Sequence, residues 1–139
     1  MTLTPEQTVL AFFDHLDERR YGELLSLMAP DAVWHRQGKV LQGHAQIRSA
    51  LQERSNTQRI RHLITNLLQR SASDSDSDSE ARFSHYMTAL RHDDGEPHTG
   101  PVTIQGPLRM SLVNTRLQRR GGAWCVVEQS IVTEFEFAA

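Results

Sequence analysis

Ile60-Arg61-His62-Leu63-Ile64-Thr65-Asn66-Leu67-Leu68-Gln69, in the middle of the chain, decides how the rest is read. Strand side chains alternate between two faces. As a strand, this stretch places Ile60, His62, Ile64, Asn66 and Leu68 on one face and Leu63, Thr65 and Leu67 on the other. An imidazole and an amide therefore stand among apolar neighbours. A polar group buried without a partner costs about 1–3 kcal/mol, so His62 and Asn66 are either structurally satisfied or face a pocket.

Upstream of this strand the pattern is helical. Thr4-Pro5-Glu6-Gln7 has an N-cap threonine, a proline at the first helical position and a glutamine three residues after the cap, which together form a capping box. Val9, Phe12, Phe13 and Leu16 then fall on one helical stripe, with Asp17 just after it near the helix end. Tyr21, Leu24, Leu25 and Met28 make the stripe of a second, shorter helix, stopped by Pro30. Ala32 to His35 reads as a short strand, and Gly38 and Gly43 bracket a turn. A third helix runs from His44 to about Arg54, carrying Ile47, Ala50 and Leu51 on one side.

Downstream the pattern is extended. Ser71 to Ser79 is a serine–aspartate run with nothing to pack, expected to be a flexible loop; it lacks the glycine of a calcium-binding loop. Glu80 to His92 alternates as a strand, Asp93 to Pro107 is a second expected loop broken by Gly95, Pro97, Gly100 and Pro107, and Leu108–Arg119 and Ala123–Phe137 are two long strands joined at Arg120-Gly121-Gly122. Helices early and hairpin-linked strands late predict an α+β fold in which a curved antiparallel sheet wraps three N-terminal helices and leaves an apolar hollow.

Length and charge narrow the function classes. The 139 residues suit a single domain, 1–139, with enough chain to bury one core. A net charge of −2 supplies no basic field for nucleic acid. No apolar run approaches the ~20 residues of a membrane span, and there is no signal pattern at the N-terminus. Cys125 is the lone cysteine, which excludes internal disulfides and thiolate clusters, so a cytoplasmic protein is expected. The seven histidines include no His-x-His, His-x-x-His or His-Glu-x-x-His spacing; His15, His35, His44, His92 and His98 read as surface or loop residues, and no metal site is expected.

The aromatic-rich first helix, Tyr21-Gly-Glu-Leu-Leu, Pro30-Asp-Ala-Val-Trp34, Gly43-His-Ala-Gln-Ile-Arg48, Arg61-His-Leu-Ile-Thr-Asn66 and Gly122-Ala-Trp-Cys-Val-Val127 resemble the SnoaL-like branch of the nuclear-transport-factor-two-like superfamily over nearly the whole chain. The resemblance implies a cone of curved sheet closed by three helices, the cystatin-like roll. Its dehydratase members, which resemble scytalone dehydratase, use an aspartate at the end of helix one and a strand histidine. Asp17 and His62 match those positions, implying cofactor-free chemistry in which the aspartate orients or charges the imidazole and the imidazole removes and returns protons. The family's second histidine falls at His85, with Arg91 and His92 as alternatives, and Leu16 stands where the family has a tyrosine. A ketosteroid-isomerase mechanism is not expected, because its carboxylate base falls at His35 or Arg36 and its helix-one tyrosine at Phe12.

Within that frame Phe13, Trp34, Asn66, His85 and Asn114 are the candidates to bind substrate, and one of the successive residues Glu128 and Gln129 must point inward. The implied ligand is a small hydrophobic molecule bearing hydroxyl or carbonyl groups, turned over by a dehydratase, cyclase or isomerase reaction. The same resemblance allows a non-catalytic binding or assembly module, or an accessory subunit like the small chain of ring-hydroxylating dioxygenases. It also implies a homodimer through the sheet face. Cys125, without a basic neighbour, reads as a small buried apolar residue.

Overall fold

A computed structural model describes residues 2–73 and 79–138. The elements run in order as α1 (Pro5–Asp17), α2 (Tyr21–Ser26), β1 (Met28–Arg36), β2 (Lys39–Gln42), α3 (Gly43–Gln52), β3 (Arg59–Ser73), β4 (Glu80–His92), β5 (Arg109–Arg120) and β6 (Ala123–Glu136). The α+β expectation is met, with three helices among the described residues. The six strands form one open, curved sheet in the order β2-β1-β6-β5-β4-β3, with β2 and β3 as its edges.

The start of α1 follows its sequence. The Thr4 hydroxyl accepts the Gln7 backbone N–H at 3.1 Å, and the Gln7 side chain accepts the Thr4 N–H at 3.0 Å, which satisfies two donors that a helix start leaves open. Val9, Phe12, Phe13 and Leu16 are all buried, facing the sheet. Phe12 meets Phe13 and Trp34 edge-on, with centroids 5.0 and 5.5 Å away. Burying each such ring is worth about 1.5–3 kcal/mol, so this stripe anchors the helix on the sheet.

Several boundaries differ from expectation. Helix α2 ends at Ser26, and Met28, expected on its stripe, begins β1 instead. Pro30 lies inside that strand, exposed, where the pairing of β1 with β6 shifts register between Met28 and Val33. Proline lacks the N–H a ladder needs and is tolerated at such a break. The pairing of β1 with β6 is parallel, so the sheet is mixed rather than wholly antiparallel. Residues 39–42 add a short edge strand inside the span expected as a turn. Ser71–Ser73, expected in the first loop, continue β3, with Ser73 opposite Glu80; residues 74–78 of that loop lie outside the described residues. Between His92 and Arg109 there is no helix or strand, in line with the glycines and prolines there. Gly121 and Gly122, at φ +59° and +81°, make the two-residue turn between β5 and β6 that only residues free to take positive φ form readily.

The stretch from Ile60 to Gln69 is a strand, but its alternation does not persist. Ile60, His62 and Ile64 face the helices, as read from the sequence; the ladder with β4 then jumps from Thr65 opposite Tyr86 to Leu68 opposite Ser84. Asn66 sits in this bulge at φ +55°, a left-handed conformation that asparagine tolerates better than most residues. Past the bulge the phase is reversed: Leu67 packs against the core and Leu68 is exposed.

Asn66 therefore sets where the inward face of β3 ends. Asn66→Gly is expected to leave stability within a few tenths of a kcal/mol, whereas the β-branched Asn66→Val should destabilise by about 1–2 kcal/mol. Urea unfolding of the two variants checks this; equal stabilities would contradict the strain assigned to that position.

Candidate functional site

Asp17 is the last residue of α1, where a negative charge opposes the helix dipole by about 0.3–1 kcal/mol. Its carboxylate is held instead by two donors from a single residue on the neighbouring strand. Oδ2 accepts the backbone N–H of His62 at 2.9 Å, and Oδ1 contacts the Nδ1 of the same residue. The side chains of Asp17 and His62 are only 10% and 9% exposed, so this pair is shielded from solvent screening. An ionised carboxylate only accepts hydrogen bonds, so Nδ1 carries a proton and donates. With Nδ1 engaged by Asp17, Nε2 is the ring nitrogen left over, and it has no hydrogen-bond partner among the described residues. Phe13 packs on the imidazole with centroids 5.8 Å apart and so limits its rotation.

His62 lines two adjoining cavities. The inner one, about 180 Å³, lies among Leu16, Trp34, Met87, Ala89, Ser111 and Ile131. The outer one, about 340 Å³, opens between α3 and the ends of β3 and β4, past Leu41, Ala50, Ile60 and Leu108. Leu16, Arg36, Gln37, His62 and Arg109 belong to both, so these residues mark the junction. Sheet register explains the placement. His62 stands opposite Ala89 and Ala89 opposite Arg109, so one row across three strands puts the imidazole and a guanidinium on one face with a single methyl between them. In β1, Trp34 faces inward and Arg36, two residues on, follows it. Its guanidinium carbon sits 4.5 Å from the centre of the Trp34 ring. Burial pulls the Arg36 guanidinium down to about 10, and the like charges of Arg54 and Arg109 add to the effect.

The floor of the inner cavity is fixed by hydrogen bonds. Trp34 Nε1 donates to Gln129 Oε1 at 3.0 Å, and Gln129 Nε2 donates to Thr115 Oγ1 at 3.1 Å. Gln129 is therefore the inward residue of its pair. Glu128 points to the opposite face, where it meets His35 at 3.0 Å.

Among the expected substrate-binding residues, Trp34 lines the inner cavity. The others do not line either cavity. Asn66 is exposed because the bulge turns it away. Asn114 is exposed on the opposite face of the sheet, beside Arg116 and Glu128, because Val113 and Thr115 take the inward positions of β5. Phe13 is core packing, wedged between the rings of His62 and His85. His85 is 1% exposed behind Phe13, its Nδ1 donating to the Tyr86 carbonyl at 3.0 Å and its Nε2 buried without a partner. Burial lowers the His85 pKa; the bond to the Tyr86 carbonyl opposes the shift, and the electrostatic influence of the neighbouring His62 adds to it. The arginines at the cavity junction were not among the expected site residues, although the alternation that turned Trp34 inward applied equally to Arg36.

One group of side chains outside the cavities has metal-ligating chemistry. His92, Asp94 and His98 place one ligand atom each within 4.8 Å of one another, and His98 Nε2 already bonds Asp94 at 2.8 Å. It lies at the end of β4 and in the following connection and lines neither cavity at His62.

A model of the SnoaL-like domain matches residues 6–129. The chain belongs to the SnoaL-like domain family. Solved structures carry the same fold. A protein from Novosphingobium aromaticivorans provisionally named scytalone dehydratase superposes on this SnoaL-like chain with a TM-score of 0.76 at 15% identity, covering 96% of this chain and 85% of its own. A Nostoc punctiforme protein of unknown function with a cystatin-like fold gives 0.70 at 17% identity and 96% coverage of both chains. A Catenulispora acidiphila protein in complex with S-DNPA gives 0.68 at 22% identity, with 92% and 89% covered. At these identities the likeness speaks for the fold. A comparison with curated proteins gave no significant match. No helix among the described residues of this SnoaL-like chain is long and apolar enough to cross a membrane.

The depressed pKa of His85 sets a pH dependence. A histidine kept neutral in the folded state binds fewer protons than in the unfolded chain, so its contribution is fully present above the ordinary value of 6.5 and declines as pH falls below it. Urea unfolding at pH 7.5 and pH 5 should show a smaller loss of stability for His85→Phe than for the wild type. An equal loss in both would remove His85 from the acid response.

Proposed function

We propose that this SnoaL-like domain is a cofactor-free acid–base enzyme of the dehydratase, cyclase or isomerase kind, acting on a small hydroxylated or carbonyl-bearing ligand held against His62. The observation that carries the proposal is the double bond from one carboxylate to one histidine, made by Asp17 to the backbone N–H and Nδ1 of His62. It fixes the ring orientation and tautomer and leaves Nε2 as the base, on a residue that lines the cavity. The names of two structural neighbours agree with this reading: one is provisionally a scytalone dehydratase, and another was solved with the small molecule S-DNPA.

For a β-hydroxy ketone the chemistry balances without a cofactor. Nε2 takes the proton from the carbon between carbonyl and carbinol, giving an enolate and an imidazolium. The enolate oxygen re-forms the carbonyl, the enolate carbon–carbon pair becomes the double bond between the α- and β-carbons, the β-carbon–oxygen bond breaks, and the imidazolium gives its proton to the leaving oxygen, which departs as water. Asp17 does not touch the ligand in this scheme. It is a positioning residue that stabilises the transient imidazolium, a role worth most where solvent is excluded.

3-Hydroxy-1-tetralone is a suitable probe, because loss of water gives fluorescent 1-naphthol. His62→Gln should slow its dehydration by about 10²–10⁴-fold. Asp17→Asn should slow it through the tautomer, since the amide N–H can donate to Nδ1 and drive the imidazole proton onto Nε2. Nitrogen-15 NMR of His62 should accordingly report an Nδ1–H ring in the wild type and an altered tautomer in Asp17→Asn. A single unchanged tautomer in both, with dehydration no faster than in buffer, would favour a non-catalytic binding module of the same fold.

Assembly as a homodimer through the outer sheet face belongs to the same proposal. Tyr86, Leu112 and Val132 stand in one row across β4, β5 and β6 on that face, and Val132 is 56% exposed with Leu63 and Phe135 exposed nearby. Apolar side chains this close together on a surface mark a contact region. Sedimentation should give twice the chain mass, and Val132→Glu should halve it; a monomeric wild type would refute the arrangement.

A further inference from the structure

We infer that the His62 cavity takes an amphipathic acid, an apolar ring system ending in a carboxylate, with the carboxylate held between Arg36 and Arg109. This rests on the acid–base reading of the cavity and adds to it the substrate class.

Charge around the outer cavity is one-sided. Arg36, Lys39, Arg54, Arg91 and Arg109 line it, against Glu53 and Asp93. Asp93 is already engaged: it accepts the Thr57 hydroxyl at 2.7 Å and the Gly95 N–H at 3.1 Å, and hydrogen bonds from Thr57, Ser55 and Gly95 bring its carboxyl down to about 2. Glu53 is exposed and makes no ion pair among the described residues. Arg54 is fixed by the Leu16 carbonyl at 3.0 Å and the Tyr21 hydroxyl at 2.9 Å. Arg36 and Arg109 are different. Both are half-buried at the junction of the two cavities, and neither has an ion-pair or hydrogen-bond partner among the described residues. Elsewhere Arg20, Arg61, Arg82, Arg116 and Arg120 do pair with carboxylates.

Two partly desolvated guanidiniums that repel each other are unfavourable in the empty protein, and an incoming oxyanion relieves that repulsion. Arginine suits the task because its planar fork matches a carboxylate. The inner cavity supplies the other half of the match, with Leu16, Trp34, Met87, Ala89 and Ile131 for an apolar ring. His62 and Arg109 stand in one row on β3 and β5, their backbones about 10 Å apart, the width of two strand spacings. That is a span a fused bicyclic ligand can bridge.

The test uses the full chain and a pair of probes that differ only in charge, 2-naphthoate and 2-naphthamide, titrated by calorimetry at pH 7.5 in low salt. The expected result is at least tenfold tighter binding of the acid, weakened by added salt. Arg109→Gln and Arg36→Gln should each bring the two affinities within about threefold. Should Arg36→Gln fail to fold by circular dichroism, Arg109→Gln and the wild-type comparison still decide. Naphthoate that binds no better than the amide, fails to bind up to its solubility limit, or keeps its preference in Arg109→Gln overturns the inference. The neutral tetralone assay separates this from the chemistry. Dehydration without acid preference keeps the acid–base reading and loses the anion site, while acid preference with no His62-dependent dehydration keeps the site and loses the chemistry.

Discussion

A carboxylate at the unfavourable end of a helix, held by two donors from one residue of an edge strand, is the contact on which the site depends. The bonds from Asp17 to the backbone and ring of His62 tie the last turn of α1 to β3, an outer strand of the sheet. They hold Phe13 against both imidazoles and Leu16 over the two cavities. Hydrophobic burial along α1 would hold the helix on the sheet without them. It would not set the rotation of one imidazole, because burial is not directional. Stability and site geometry therefore have different physical sources in the same helix.

The cavity has two kinds of wall for a related reason. Its inner part is built from the concave face of the sheet, where Trp34, Gln129 and Thr115 satisfy one another across three strands and leave apolar surface around them. Its outer part lies where the strands run out of the core, and the long side chains of Arg36 and Arg109 line both parts where they meet, the Arg36 guanidinium lying over the Trp34 ring. His62 stands where the two parts meet, with Leu16, Trp34, Met87, Ala89 and Ile131 on the inner side and Arg36 and Arg109 at the junction.

Much of this was legible from the residues. The capping box, the stripe on α1 and the pairing of Asp17 with His62 rest on local spacing, or on a motif that spans the chain. What escaped the sequence depended on one-residue shifts or on distant partners. Asn66 seemed to share a face with His62 because period 2 carries no record of a bulge, although an asparagine in an apolar strand is a residue type that tolerates such a turn. Glu128 and Gln129 could not be told apart for the same reason: the β5–β6 ladder slips between Arg116 and Leu117, leaving Val127 unpaired, and only that slip says which one faces inward. The parallel pairing of β1 with β6 joins residues such as Trp34 and Gln129, 95 positions apart, and left no local mark. Arg36 was within reach, since any reading that turned Trp34 inward had to turn the arginine two positions later inward with it.

The irregularity of β3 has a consequence beyond the cavity. As an edge strand it presents unpaired backbone groups on its outer side, the kind of surface onto which another chain can add a strand and begin an aggregate. Its ladder breaks register twice, after Thr65 and after Gln69, so a straight strand docking on that edge would lose step within a few residues. The kink that removes Asn66 from the pocket thus also makes the edge a poor template, and the chain keeps a histidine on an outer strand without turning that strand into a seed for amyloid-like growth.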